Sequence, residues 1–259
     1  MCGATWNSRS SRRTPATPPW PSSWPSGWSA IRKGERTMYD SHIFLDFEMN
    51  PIPREFTEAR QMARAEIVEI GAVKLDQDYN LIDRYSRFVK PQYAPIHKRI
   101  TQLTGITDAD VANAEPFAEA IAAFGEWIGG GRTRIYSWSR TDQNQLFDES
   151  WLKEVELPAP LEGRWMDFQD VYTRLIGLSG ANSLSLKHAL GAAACTFEGE
   201  AHRAVHDAEN SATLLKLVKE GRLKEQAGAV WQALHPEKHT GSSLGENSAL
   251  KAYLERLEK

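Results

Sequence analysis

Asp46 and Glu48 stand two residues apart at the end of the apolar run "HIFLDFE" (42–48). On a strand, residues i and i+2 share a face, so both carboxylates project the same way. Neighbouring carboxylates repel unless something positive lies between them. A wet strand end can also carry two acids with no meaning beyond solubility. Asp142, in "YSWSRTDQNQL", follows another apolar run and sits where a helix begins, a place the helix dipole favours for an acid in any protein. Further on, "EGEAHRAVHDAEN" (198–210) puts His202, His206 and Asp207 just ahead of an apolar helical run. Taken alone, that stretch reads as a catalytic constellation, a metal site or the charged entry to a surface helix.

The order of these signals carries more than any one of them. Four carboxylates gathered at the ends of strands make a hard oxygen site suited to two Mg²⁺ or Mn²⁺ ions. A metal pair roughly 3.5–4 Å apart is a general solution for in-line attack on a phosphodiester. A histidine adds a neutral base able to take a proton near pH 7, which acids already bound to metal cannot do.

These residues need a sheet and helices to bring them together. "HIFLDFE" reads as a buried strand, "AEIVEIGAVKLD" (65–76) as a second and "NLIDRYSRFVKP" (80–91) as a third, ended by Pro91. Short spacers between them predict an antiparallel meander. Helical periods follow at 97–103 and 116–129, the latter after the entry "DADVANAEP". "TRIYSW" (133–138) predicts a fourth strand and "RWMDF" (164–168) a fifth, with helices around 142–153, 168–177, 184–194 and 204–221. The expected fold class is α/β, a mixed five-stranded sheet flanked by helices.

Charge divides the chain unevenly. Residues 1–37 carry +5 and the remainder −8, within an overall −3 over 259 residues. An acidic body argues against coating long duplexes, which takes many Lys and Arg on phosphates. It leaves open nucleic acid gripped locally through metal ions. Five prolines break any helix in 1–37, and no apolar core of a signal peptide is present there. That segment reads as a disordered or over-extended N-terminal tail, 38–222 as the folded domain and 223–259 as a helical extension. Two cysteines, Cys2 and Cys195, form neither a disulfide framework nor a zinc cluster, which suits a reducing, cytoplasmic setting. No apolar stretch approaches membrane-spanning length.

Together "LDFE", "EIVEIGAVKLD", "FVKP", "LTGIT", "YSWSRTDQNQL" and "FEGEAHRAVHDAENSA" resemble the DEDDh 3′–5′ exonucleases. The similarity is nearest the Eri-type and KapD-like branch of the DnaQ-like family, with its RNase H-like three-layer core, and spans about residues 40–221. It implies that Asp46, Glu48, Asp142 and Asp207 hold the metals and that His202 is the general base. The family's base precedes its last aspartate by five residues, which selects His202 and leaves His206 as a helix-surface residue. By the same resemblance Leu103 in "LTGIT" wedges against a terminal base and Trp138 lines a base pocket. Met49 would adjoin the sugar, where this chain has Met-Asn in place of the small residue or Thr common after the motif. The polar stretch "NPIPREFTEARQMARAE" (50–66) resembles the substrate-side loop of the Eri-type branch, with Arg54, Arg60 and Arg64 available to phosphates.

The resemblance implies hydrolysis of single-stranded RNA or DNA from the 3′ end to nucleoside 5′-monophosphates, with RNA favoured. Two readings compete. A non-catalytic nucleic-acid-binding or partner subunit would lack an acid or the base, and none is missing. An RNase H-like endonuclease accounts for the carboxylates but leaves the histidine without a task.

Overall fold

A computed structural model describes residues 39–175 and 183–220. The expectations for 1–37 and 223–259, and for the ends of the helices read at 168–177 and 204–221, lie outside the described residues.

β1 (Ser41–Pro51) and β2 (Ala65–Leu75) are the longest strands. Both are buried along most of their length, as their nearly continuous apolar runs require. β3 (Leu81–Phe88) buries only Tyr85 fully and forms one edge. β4 (Thr133–Ser137) and β5 (Arg164–Asp167) complete a sheet of order β3-β2-β1-β4-β5. β1, β2 and β3 pair antiparallel, whereas β4 joins β1, and β5 joins β4, in parallel. This is the mixed five-stranded sheet read from the sequence. The C-terminal ends of β1, β4 and β5 therefore open on one edge, the side on which α/β sheets commonly bind ligands.

Eight helices are found among the described residues: α1 (Ala59–Met62), α2 (Lys98–Thr104), α3 (Asp108–Val111), α4 (Phe117–Ile128), α5 (Arg140–Leu152), α6 (Phe168–Leu175), α7 (Leu186–Ala192) and α8 (Ala204–Lys219). Strand alternation sorts the core into two layers. Phe44, Val73 and Tyr136 face α6, α7 and α8, where Phe44 stacks on Tyr136 at 4.7 Å between ring centroids. Ile43, Leu45 and Ile135 face α4 and α5. Burying each such side chain contributes about 1.5–3 kcal/mol. Because positions 44, 46 and 48 share a face, Asp46 and Glu48 continue the Phe44 row and point to the side that carries α8.

Two expectations about elements need correction. The third strand ends at Phe88 rather than running to 91: Val89 still donates its N–H to the Val68 carbonyl at 2.9 Å, but Lys90 turns its N–H to the Glu115 carbonyl and Pro91 has no N–H to continue the ladder. The polar segments 50–66 and 108–116 each hold a single helical turn, α1 and α3. Four-residue helices are too short to print a hydrophobic period; α3 is set locally by a capping box between Thr107 and Asp110.

Candidate active site

Each acid reaches the open edge of the sheet by a different device. Asp46 and Glu48 lie on β1, opposite Gly71 and Glu69 of β2. The β1–β4 ladder stops at the Leu45–Ser137 pair, leaving the Phe47 N–H beyond it without a strand partner. Asp142, in the first turn of α5, takes that N–H at 3.2 Å. The capping acid suspected from sequence thus serves β1 as well as its own helix. Ser139 caps α5 by accepting from the Thr141 N–H at 3.2 Å.

Asp207 arrives on α8. That helix lies against β2 because Gly71 has no side chain: a Cβ there would stand 2.0 Å from the Val205 nitrogen and 2.1 Å from the Ala204 carbonyl carbon. Gly71 is the Cα partner of Asp46, so α8 begins level with the strand acids. Asp207 then lies one turn into the helix. Oxygen atoms of Asp46, Glu48 and Asp207 come within 4.8 Å of one another. Asp142 stands outside that tightest trio but near enough to act on the charge of Asp46 and Glu48.

The electrostatics of the cluster are those of a cation site. Burial, and then the negative charge of Asp142, Asp207, Glu48 and Glu69, raise the Asp46 carboxyl well above the ordinary range. Burial and the neighbouring Asp207, Glu69 and Asp142 push Glu48 up to about 8, against a smaller opposing effect of Arg203. Burial lifts Asp142 to about 7 although hydrogen bonds from backbone N–H groups, Phe47's among them, oppose it. Asp207 is raised too, by burial, against the hydrogen bond from the His202 N–H. Carboxylates held this close favour either protons or a positive ion between them. The donor set, all carboxylate oxygen, fits Mg²⁺ or Mn²⁺. Asp46, Glu48 and Asp207 could hold a divalent ion, with Asp142 beside them.

His202 stands exposed on the loop before α8, in the left-handed region at φ 62°. Its backbone N–H donates to Asp207 Oδ2 at 2.8 Å, tying the loop to the cluster. His206 is not a plain surface residue. Its ring is half-buried, Nδ1 accepts from the Glu200 N–H at 3.0 Å, and a Cβ at Gly199 would come within 2.7 Å of His206 Cγ. His206 thus closes the 199–206 loop through Nδ1.

The substrate-side residues separate by their surroundings. Leu103 is 49% exposed on α2, available to a ligand. Trp138 instead packs edge-on to Phe168 at 6.0 Å and donates from Nε1 to the Leu184 carbonyl at 3.2 Å. Met49 is half-buried against the Ile43–Leu45 core layer, just past a bulge at Glu48/Met49. Arg60 and Arg64 line a groove of about 560 Å³ with Thr141, Asn144 and Asp148 of α5, whereas Arg54 is exposed outside that lining. Sequence reasoning missed Asn50, fully buried, which bonds the Ala94 and Pro95 carbonyls and the His97 N–H and so fixes the loop leading into α2. It missed Glu69 and Arg203 as well. A buried acid in "VEIGAV" was the available signal.

A protein of Bacillus subtilis described as "Probable 3′-5′ exonuclease KapD" is 24% identical over 184 residues, covering 71% of this chain and 86% of the relative. Human "ERI1 exoribonuclease 2" is 23% identical over 219 residues, covering 73% of this chain and 30% of its own length. Local similarity also reaches PolC-type DNA polymerase III, of which the chain spans a tenth or less. Among solved structures, the nuclease domain of 3′hExo, a DEDDh family member bound to rAMP, aligns with a TM-score of 0.62 at 19% identity over 73% of this chain and 96% of that one. At that identity the likeness is one of fold, the RNase H-like sheet with its flanking helices. The family model described as "Exonuclease" (RNase_T) matches residues 43–215, from the first core residues of β1 into α8 and so across all four acids; the chain belongs to that family.

Proposed function

We propose that the protein is a divalent-metal-dependent 3′–5′ exonuclease that releases nucleoside 5′-monophosphates from the 3′ end of single-stranded RNA or DNA. The observation that carries this is the convergence of Asp46, Glu48 and Asp207 within 4.8 Å, with Asp142 alongside, on the open edge of the sheet. When bound, two Mg²⁺ or Mn²⁺ ions supply positive charge that lowers the pKa of the attacking water and stabilises the leaving oxygen.

The chain's own residues do the rest. The β1 acids, fixed by the ladder to β2 on one side, set the geometry of the ligand atoms. His202, exposed beside Asp207, takes the proton of the attacking water. Leu103 offers an apolar edge to the terminal base, and Arg60 and Arg64 line a groove able to neutralise upstream phosphates. RNA is the favoured substrate: the Eri-type relative is described as an exoribonuclease, and the aligned nuclease domain is one bound to rAMP. A cytoplasmic setting suits a chain with two cysteines and, among the described residues, no helix long and apolar enough to cross a membrane.

The test is degradation of 5′-labelled RNA and DNA of matched sequence, single-stranded and stem-loop, with Mg²⁺, Mn²⁺ or EDTA. A ladder shortening by single nucleotides from the 3′ end, abolished by EDTA, is expected. Early internal fragments would instead indicate an endonuclease, and binding without cleavage would indicate a non-catalytic subunit.

A further inference from the structure

Glu69 stands directly opposite Glu48 in the β1–β2 ladder, fully buried, at the rim of the acid cluster. By position it would be a fifth ligand. Its oxygens are already taken. Arg203 spans both of them, with Nη2 2.9 Å from Oε1 and Nε 3.2 Å and 3.3 Å from the two oxygens. The Ala204 N–H, first of α8, donates to Oε2 at 3.3 Å, and Ser86 Oγ reaches Oε1 at 3.4 Å. α8 has no side-chain cap of its own from Arg203, so the Glu69 carboxylate acts as its cap across the sheet.

The segment between Glu198 and Asp207 is therefore pinned at both ends. Asn210 holds the Glu198 N–H and carbonyl at 3.0 and 2.9 Å, and His206 holds Glu200. Glu69 holds Arg203 and Ala204. His202 lies between these anchors in a backbone conformation that non-glycine residues adopt only when their surroundings impose it. A planar guanidinium with two donors on one carboxylate fixes direction as well as distance. We propose that Glu69 and Arg203 are a positioning pair that sets where His202 stands over the carboxylate cluster. The proposal rests on the exonuclease reading, with His202 as proton acceptor. Arg203 acts through His202 and does not itself bind substrate.

The test uses Arg203→Met, Arg203→Lys and Glu69→Gln in the full-length chain. If the pair positions the base, Arg203→Met lowers kcat by ~30-fold with KM within about 3-fold, since only the general-base contribution is lost. Arg203→Lys, which keeps the charge but not the fork, falls short of full rescue. In a His202→Ala background Arg203→Met adds under about 3-fold, because coupled groups do not multiply. Mn²⁺ affinity, followed by titration of the ion alone, stays within about 3-fold of wild type in all three variants, as expected for a residue outside the ligand set. Amide exchange over 198–207 quickens in Arg203→Met while that of β1 does not.

A raised KM with kcat intact would make Arg203 a phosphate contact and overturn the proposal. So would full multiplication with His202→Ala, or a loss of Mn²⁺ affinity like that of Asp46→Ala. Should wild type prove inactive on every oligonucleotide, the exonuclease reading fails. The pair is then judged by amide exchange, and an unchanged rate at His202 in Arg203→Met overturns it.

Discussion

Two groups of buried or half-buried acids lie along the same pair of strands and differ in one respect. In the first, Glu66 and Glu149 close around Lys153 Nζ at 2.8 and 2.7 Å. Glu66 also accepts from the Gln92 and Tyr93 N–H groups, and Glu149 from the Ile67 N–H and Gln145 Nε2. Every charge there has an opposite charge or a donor. In the second, Asp46, Glu48, Asp142 and Asp207 have the backbone N–H groups of Phe47, His202 and Asp142 itself but no bonded cation; burial raises their carboxyls, as it does that of Glu149, and here the neighbouring acids add to it. Burial of acids is common to both, so burial is not what marks a site. The missing positive charge marks it. Glu69 with Arg203 sits between the two cases, close to the acid cluster yet fully compensated.

This contrast can be broken at either end. Asp46→Ala removes a ligand and should cost at least ~10³-fold in exonuclease rate, on the scale of lost metal catalysis. In EDTA its melting temperature should be equal to or above wild type, because a repelling charge has gone; a clear drop would mean that Asp46 serves the fold. His202→Ala should slow single-turnover cleavage by ~10²–10³-fold and leave Mn²⁺ binding in place.

Lys153→Met strikes the compensated group. Leaving Glu66 and Glu149 buried without their cation should destabilise the fold by about 3–5 kcal/mol in urea unfolding, with the rate per folded molecule unchanged. A loss under about 1 kcal/mol would show that the two groups are not electrostatically distinct.

The smallest effect is a pH dependence. Glu48 in the folded, metal-free chain holds its proton up to about 8, against 4.5 for an ordinary glutamate. The native state therefore binds more protons than the unfolded chain between those values, so stability falls as pH rises through that window. Divalent ions replace the protons. At one fixed Mn²⁺ concentration, about 100 times the dissociation constant at pH 8, the ion should add about 2.7 kcal/mol at pH 8 and less at pH 6, where protons compete for the carboxylates, as measured by thermal melting. An equal gain at both would separate the raised carboxyl from the ion site.

Much of this was legible in the residues. The apolar runs placed all five strands and the long helices, because half-buried strands and amphipathic helices must repeat at their own periods. Asp46 and Glu48 were readable as a same-face pair from strand alternation. His202 was distinguished from His206 only through resemblance to a family; in the structure the His206 Nδ1 meets the Glu200 backbone while His202 stands exposed. Trp138, expected from the resemblance to line a base pocket, is engaged with Phe168 and the Leu184 carbonyl. The short helices α1 and α3 left no period to detect.

What the sequence determined by itself is therefore the set of carboxylates, their order along the chain and the strands and helices that carry them, since those follow from local pattern. Only the tertiary structure decided which buried acids lack a partner. Glu48, Glu66 and Glu69 are the same residue type in or beside similar apolar runs. Their difference lies in Lys153 and Arg203, brought to two of them from far along the chain, and in Gly71, whose missing Cβ lets α8 deliver Asp207 to the third. Charge balance at a buried site is a sum over neighbours in space, and no local stretch contains that sum.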